Sequence, residues 1–498
     1  MALAAGDEEL RLATASTDDL AFVRRGNRFC IQYVAAAFAR YGKKACYGVR
    51  ESEIEIDGDG REVVRYRPRF RTITYEEVWR RVERVATTWS RENIVRPGAF
   101  VGLCGFTGAD LIVAELACLY LAGVSVPLQP SLPQEDLLHI AEQTELSVLV
   151  SSAEHLPATS SALAACRSLC HVIVFGMESL THEQRTKTLR SMEEWRKAGL
   201  HVATLDEVEK RSEDQPILGY AIPGTDTPDE NPLVTVSYTS GSTGRPKGVM
   251  YPESRWAQRL SGALREVPMP LVTVGYLPLC HMAGRLPIYR FLMQGGMTFF
   301  VPQRDMSTLF EDIRVVRPTT LMLIPRVSGM IHQHFQTQLV RRGGDYASAI
   351  ADEALKEAIM SEMRESFLGD RLLHIDAGAA PTAPEVVAFL EQCFGLTVAN
   401  GYGATELGLV AVNGRIQPGV SYKLDDVPEL GYRKSDKPYP RGELLVKSPY
   451  KAPGYFKNTA ATEALREVDG YVRSGDIVEE RAPNHVVWID RKLSLIHI

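Results

Sequence analysis

At 498 residues the chain is too long for one ordinary hydrophobic core, so it is expected to divide into several packed units. Hydrophobic residues make up 45% and charged residues 24%, a globular balance, and a formal charge of -6 argues against a basic nucleic-acid-binding surface. Eight cysteines over this length define no disulfide framework, and Cys166 and Cys170 lack a second His/Cys pair at zinc spacing.

The N-terminal MALAAGDEEL has early acids and no apolar core, so it does not read as a signal peptide, and a cytoplasmic location is the default. Residues 1–60 read as a helical extension. The most apolar stretch, Leu111 to Leu128, reads as a helix, then Gly123, then the strand VSVPL, which suits a buried core and not a membrane span. Short β-rich runs recur with helical segments between several of them: 99–105, 124–128, 146–152, 171–176, 233–238, 297–301 and 319–324. This rhythm predicts an α/β core over 61–412, with two buried, largely parallel sheets wrapped by helices. Thr382-Ala-Pro-Glu385 has the spacing of a capping box, with Pro384 in the first turn and Gly395 ending the helix. From 413 to 492, RGELLVKS, GYVRSGDIV and HVVWID alternate between turns, which predicts a small β-rich, barrel-like subdomain.

The strongest chemical signal is Tyr238-Thr-Ser-Gly-Ser-Thr-Gly-Arg-Pro-Lys-Gly248. It follows an apolar strand and concentrates the hydroxyls of Thr239, Ser240, Ser242 and Thr243 with Gly241, Gly244 and Lys247. Glycine lets backbone N–H groups turn toward an anion, hydroxyls donate to phosphate oxygens, and lysine adds a mobile charge. It is not a Walker A loop, because Pro246 stands where that motif has glycine and Lys247 precedes Gly248, not Ser or Thr.

The run resembles the signature loop of the superfamily of acyl-CoA synthetases, peptide-synthetase adenylation domains and luciferases. Three further segments resemble that superfamily in the right order: Tyr276-Leu-Pro-Leu-Cys-His-Met-Ala-Gly-Arg285, Asn400-Gly-Tyr-Gly-Ala-Thr-Glu406 and Tyr471-Val-Arg-Ser-Gly-Asp476. Within it the likeness is closest to the adenylation domain of carboxylic acid reductases. It runs through 66–79 and 124–133, and above all through YKLDDVPELGYRKSDKPYPRGELLVKS at 422–448.

The resemblance implies ATP-dependent activation of a carboxylic acid substrate to an acyl-adenylate, with ATP/AMP and Mg2+ as cofactors and no nucleic-acid partner. It implies Thr239 to Lys247 on the β- and γ-phosphates, His281 beside the carboxylate pocket, Thr405 at the α-phosphate and Glu406 as the magnesium ligand. It further implies Tyr402 against adenine, Asn400 and Gly401 along the base or acyl-phosphate edge, Asp476 on the ribose hydroxyls, and Trp488-Ile489-Asp490-Arg491 passing the nucleotide. Catalytic roles fall to His281, Thr405 and Glu406. Taken alone, His281 also reads as an ordinary core histidine, Tyr402 as a half-buried aromatic and Asp476 as a turn former. Ala379 stands where these reductases often carry serine, which puts a side-chain contact to the nucleotide there in doubt.

In the parent enzyme the resemblance implies a carrier domain with a phosphopantetheine arm and an NADPH-dependent reductase domain in cis, releasing an aldehyde. The alternatives are a stand-alone acyl- or aryl-CoA ligase, a peptide-synthetase adenylation domain, and a non-catalytic nucleotide-binding protein. After Asp490-Arg-Lys492 the family continues into a lid with a catalytic lysine, whereas here LSLIHI follows. Leu493 to Ile498 are read as an artefactual tail. The fragment is therefore expected to bind ATP or an acyl-adenylate and to adenylate very slowly.

Overall fold

The computed structural model describes residues 7–227, 229–239, 244–262, 268–302, 305–465 and 469–492. They fall into two compact units, 1–312 and 313–498.

The first unit is built on two sheets. The larger has seven strands in the order His201–Thr204, His171–Phe175, Val148–Ser152, Phe100–Cys104, Val124–Leu128, Leu233–Thr239 and Lys247–Pro252. All neighbours are parallel except the last two, which form an antiparallel hairpin. Parallel strands covered on both faces need apolar side chains in unbroken succession, and Val124–Leu128 is buried at all five positions. The helix Ala109–Tyr120 is also buried almost all round, with only Asp110 outside its buried set. The apolar run from 111 to 128 is thus a core helix followed by a core strand. All seven runs read as strands coincide with observed ones.

The smaller sheet has the order Val272–Gly275, Met297–Phe300, Ala45–Ile56, Glu62–Thr74. Its last two strands correct the expectation of helix throughout 1–60. Helices occupy Glu8–Leu12, Thr17–Arg24 and Cys30–Tyr41, but Ala45–Ile56 pairs with Glu62–Thr74 in a long antiparallel ribbon. Asp57 makes its turn, with Oδ1 accepting from the N–H groups of Asp59 and Arg61 at 2.9 Å each. Arg69 reaches across to Glu51 at 2.6 Å, and Arg67 pairs with Glu53.

A buried ion pair lies under the hairpin of the larger sheet. Glu115 and Arg285 are each 1% exposed and bonded to one another. Arg285 also donates to Thr235 Oγ1 at 2.8 Å and Ser125 Oγ at 2.7 Å, and its guanidinium lies 4.6 Å from the Trp256 ring centroid. Helix Met282–Met293 is thereby tied to the strand that enters the Ser/Thr/Gly run.

The second unit carries a nine-stranded sheet in the order Thr320–Leu323, His374–Ala377, Val398–Ala404, Gly408–Val412, Arg415–Ile416, His485–Arg491, Val472–Ala482, Arg441–Lys447, Ser421–Asp425. The first three strands are parallel and the rest antiparallel. The strands expected as a separate barrel-like subdomain therefore extend the same sheet. Leu407, Val410, Leu424, Leu444, Val446, Val472, Val478 and Val486 make its core, against which Tyr402 packs. The proposed capping box at 382–385 is also corrected. The helix Pro384–Phe394 has Ala383 at its N-cap without a side-chain cap, while Gly395 closes it in the left-handed conformation at φ 64°. Among the described residues, no helix is long and apolar enough to cross a membrane.

Removing one partner of a buried pair leaves the other charge uncompensated, whereas replacing both by apolar groups does not. Glu115→Ala is expected to destabilise the first unit by about 3–5 kcal/mol in urea unfolding, and Glu115→Leu/Arg285→Met to recover most of that loss. A Glu115→Ala midpoint equal to that of the parent chain would contradict this.

Candidate functional site

In the first unit, the Ser/Thr/Gly/Lys run is the connection of a β-hairpin. Thr239 ends one strand and Lys247 begins the next, and the two are direct cross-strand partners. Thr239 Oγ1 donates to the Lys247 carbonyl at 3.4 Å. Tyr238 anchors the base of the hairpin by donating to Gln143 Oε1 at 2.6 Å. Gly244 is described, with φ 149°, while Ser240, Gly241, Ser242 and Thr243 lie outside the described residues. His281 is the N-cap residue of Met282–Met293, its carbonyl accepting from the N–H groups of Gly284 and Arg285 at 3.0 Å. Its side chain is exposed, yet the protein packed around the ring lowers its pKa and favours neutral imidazole.

In the second unit, three of the motifs belong to one sheet. Residues 400–406 form a strand and a tight turn, Val398–Ala404 pairing with Gly408–Val412. Asn400 is pinned by Asn413, whose side-chain oxygen accepts from Asn400 N at 2.7 Å. Gly403 is required by close approach, since a Cβ there would sit 2.2 Å from the Gly408 carbonyl oxygen. The ladder slips between Tyr402 and Gly403, a bulge of the kind that re-aims side chains.

Tyr402 and Asp476 are brought together from 74 residues apart: the phenol donates to Asp476 Oδ2 at 2.7 Å. Trp488 Nε1 donates to Oδ1 at 3.3 Å, and Arg491 Nε lies 4.0 Å from the same oxygen. Asp476 is 8% exposed, so these donors offset the desolvation of its charge. Burial and the neighbouring carboxylate push the Tyr402 phenol well above its ordinary pKa, which keeps it protonated as a donor. The Ser474-Gly475-Asp476 turn is fixed locally. Ser474 Oγ donates to the Leu444 carbonyl at 2.7 Å and accepts from Asp476 N at 3.1 Å. Gly475 has φ 72°, a conformation that favours glycine.

The remaining expected residues separate. Ile489 is the extra residue of a bulge between the Trp488 and Asp490 pairings. The Asp490 carboxylate turns back to accept from Arg491 N at 2.7 Å. Ala379 is exposed, in the turn after His374–Ala377, and holds φ 70° despite its Cβ. Thr405 and Glu406 sit at the tip of the 398–412 hairpin, both half-buried.

Sequence reasoning missed two supports. Tyr455 donates to Glu406 Oε1 at 2.9 Å from 49 residues away. Glu443, 2% exposed, accepts from Arg473 at 2.8 Å and Lys492 at 3.2 Å, which brackets the Asp476 turn. For Tyr455 the only local signal was an aromatic after Pro453-Gly454, which reads as a turn. Glu443 lies inside the quoted 422–448 stretch, but nothing there marks it as buried.

Among the described residues, no three His, Cys, Asp or Glu side chains gather as a metal cage. Glu406 offers one hard oxygen donor, which suits a magnesium ion whose other ligands are phosphate oxygens and water.

Residues 55–456 match the family model described as AMP-binding enzyme. The chain is 36% identical to carboxylic acid reductases of Segniliparus rugosus and Mycobacterium tuberculosis, over 98% and 94% of its length. It spans only 42% and 40% of those proteins. The A domain of the Segniliparus rugosus enzyme, solved with AMP and a co-purified carboxylic acid, superposes with a TM-score of 0.90 at 34% identity, covering 98% of this chain and 78% of that one. The adenylation domain of a Mycobacterium chelonae carboxylate reductase gives 0.88 at 33% identity, covering 98% and 75%. The chain therefore belongs to the AMP-binding enzyme family, as an adenylation domain of the carboxylic acid reductase kind.

Proposed function

We propose that this domain activates a carboxylic acid with ATP. One carboxylate oxygen of the acid attacks the α-phosphorus, the bond from that phosphorus to the bridging oxygen breaks, and pyrophosphate leaves in line, giving an acyl-adenylate. In the parent enzyme the acyl group then passes to a phosphopantetheine thiol and is reduced with NADPH to an aldehyde.

The observation that supports this most is Asp476, a nearly buried carboxylate oriented by Tyr402 and Trp488. Each carboxylate oxygen can accept more than one hydrogen bond, so acceptor capacity remains for the two ribose hydroxyls. In this reading Tyr402 offers its ring to adenine while its O–H keeps the carboxylate in place. Arg491, already near Asp476, adds positive charge toward the phosphates. Thr239, Gly244, Lys247 and the intervening Ser240 to Thr243 donate to the β- and γ-phosphates. His281, neutral at pH 7, contacts the incoming acid without binding it as an ion pair. Magnesium, held by Glu406, would neutralise charge on the phosphate oxygens.

Three outcomes test this reading. With hydroxylamine as trap, a hydroxamate is expected only when ATP, Mg2+ and a carboxylic acid are all present. AMP formation that ignores the acid would contradict it. Asp476→Ala is expected to weaken AMP binding about 10–100-fold by calorimetry, the loss for hydrogen bonds to a charged group; unchanged affinity would remove Asp476 from the site. The His281 imidazole is expected to titrate by NMR below the ordinary value of about 6.5. The sign follows: the folded chain binds this proton less tightly than the unfolded chain. His281 thus subtracts stability as pH falls through about 6.5, and nothing above it. A midpoint above 6.5 would contradict the desolvation of the ring by the protein packed around it.

A further inference from the structure

We propose that Tyr455 is a positioning residue for the metal: its phenol holds one oxygen of Glu406 so that the other is presented to a divalent cation on ATP. This rests on the assignment of Glu406 as the magnesium ligand. Glu406 stands at a hairpin tip, where a glutamate with several rotatable bonds would sample many orientations. The segment 451–455 fixes the Glu406 backbone with one bond and its side chain with another. Ala452 N–H donates to the Glu406 carbonyl at 2.7 Å, and the Tyr455 phenol donates to Oε1 at 2.9 Å. Among the described residues, no other side chain bonds the carboxylate, which leaves Oε2 to face a cation.

Tyr455 is itself held. It is 8% exposed, and its N–H donates to Thr462 Oγ1 at 2.9 Å, within the first turn of the helix Thr459–Ala464. A tyrosine phenol donates without bringing a positive charge of its own, so the contact orients the carboxylate without an ion pair. The nearby cation of the segment is engaged elsewhere, Lys451 Nζ donating to the Gly470 carbonyl at 3.2 Å. A carboxylate fixed by a neutral hydrogen bond keeps its full charge for the metal, which a lysine in the same place would cancel. Groups that orient a metal ligand in this way commonly change metal affinity about 10–100-fold when lost.

The test is Tyr455→Phe in the whole chain, which removes one oxygen and keeps the ring. Calorimetric titration of ATP at a series of Mg2+ concentrations gives the Mg2+ requirement. AMP binding in EDTA reports the nucleotide site without metal. The expected result is a Mg2+ requirement raised about tenfold, with AMP affinity and the thermal midpoint in EDTA unchanged. Thr462→Ala, which loosens the same segment without touching Glu406, is expected to leave the Mg2+ requirement nearer the parent value. Two results would overturn the inference: an unaltered Mg2+ requirement in Tyr455→Phe, or an equal loss of AMP and ATP binding, which marks a merely structural role. If the parent chain and Glu406→Gln both bind ATP without regard to Mg2+, the assignment of Glu406 fails and the inference falls with it. A metal dependence lost only in Glu406→Gln overturns the role of Tyr455 alone.

Discussion

The arrangement of the second unit turns on one carboxylate, Asp476, that is nearly removed from water. Burying an isolated carboxylate is costly, and the protein offsets that cost with aimed donors and not with a tight ion pair. Tyr402 and Trp488 each donate to Asp476, while Arg491 stands at the edge of ion-pair range. Neutral donors leave the anion's charge and part of its acceptor capacity available, whereas a bidentate arginine would consume both. The two aromatic donors come from strands that also pack on the Leu444/Val446/Val478 core, so the site's geometry follows from the sheet's register.

The same logic recurs at Glu406, where a phenol and not a cation holds the carboxylate. It is reversed in the first unit, where Glu115 and Arg285 pair at full burial beside the strand leading to the Ser/Thr/Gly hairpin. There the pair serves as a fixed strut: it ties the helix that starts at His281 to the strand that ends at Thr239.

Much of this fold was legible because burial leaves its mark on composition. Strands such as Val148–Ser152 and His171–Phe175 are apolar runs bounded by turns, and each was located from sequence. The ribbon of Ala45–Ile56 with Glu62–Thr74 was not. Its strands alternate glutamates and arginines that pair across the ladder, so the hydrophobic signal is weak, although Asp57-Gly58 between alternating runs is a hairpin signature. The capping box at Thr382 failed because a Pro at the first helical position set the start one residue later, at Ala383. At the site, motif residues with their own local chemistry, such as Asn400 to Glu406 and Ser474 to Asp476, could be read directly. Their supports could not, because Tyr455 and Glu443 act through contacts made only when distant segments meet.

The most direct measurement of the central claim is a crystal structure of this chain with AMP. The account predicts ribose hydroxyls within hydrogen-bond distance of Asp476, with the base against the Tyr402 ring and the Tyr402 hydrogen bond to Asp476 intact. AMP bound elsewhere, with the Asp476 carboxylate touching only its protein donors, would contradict it.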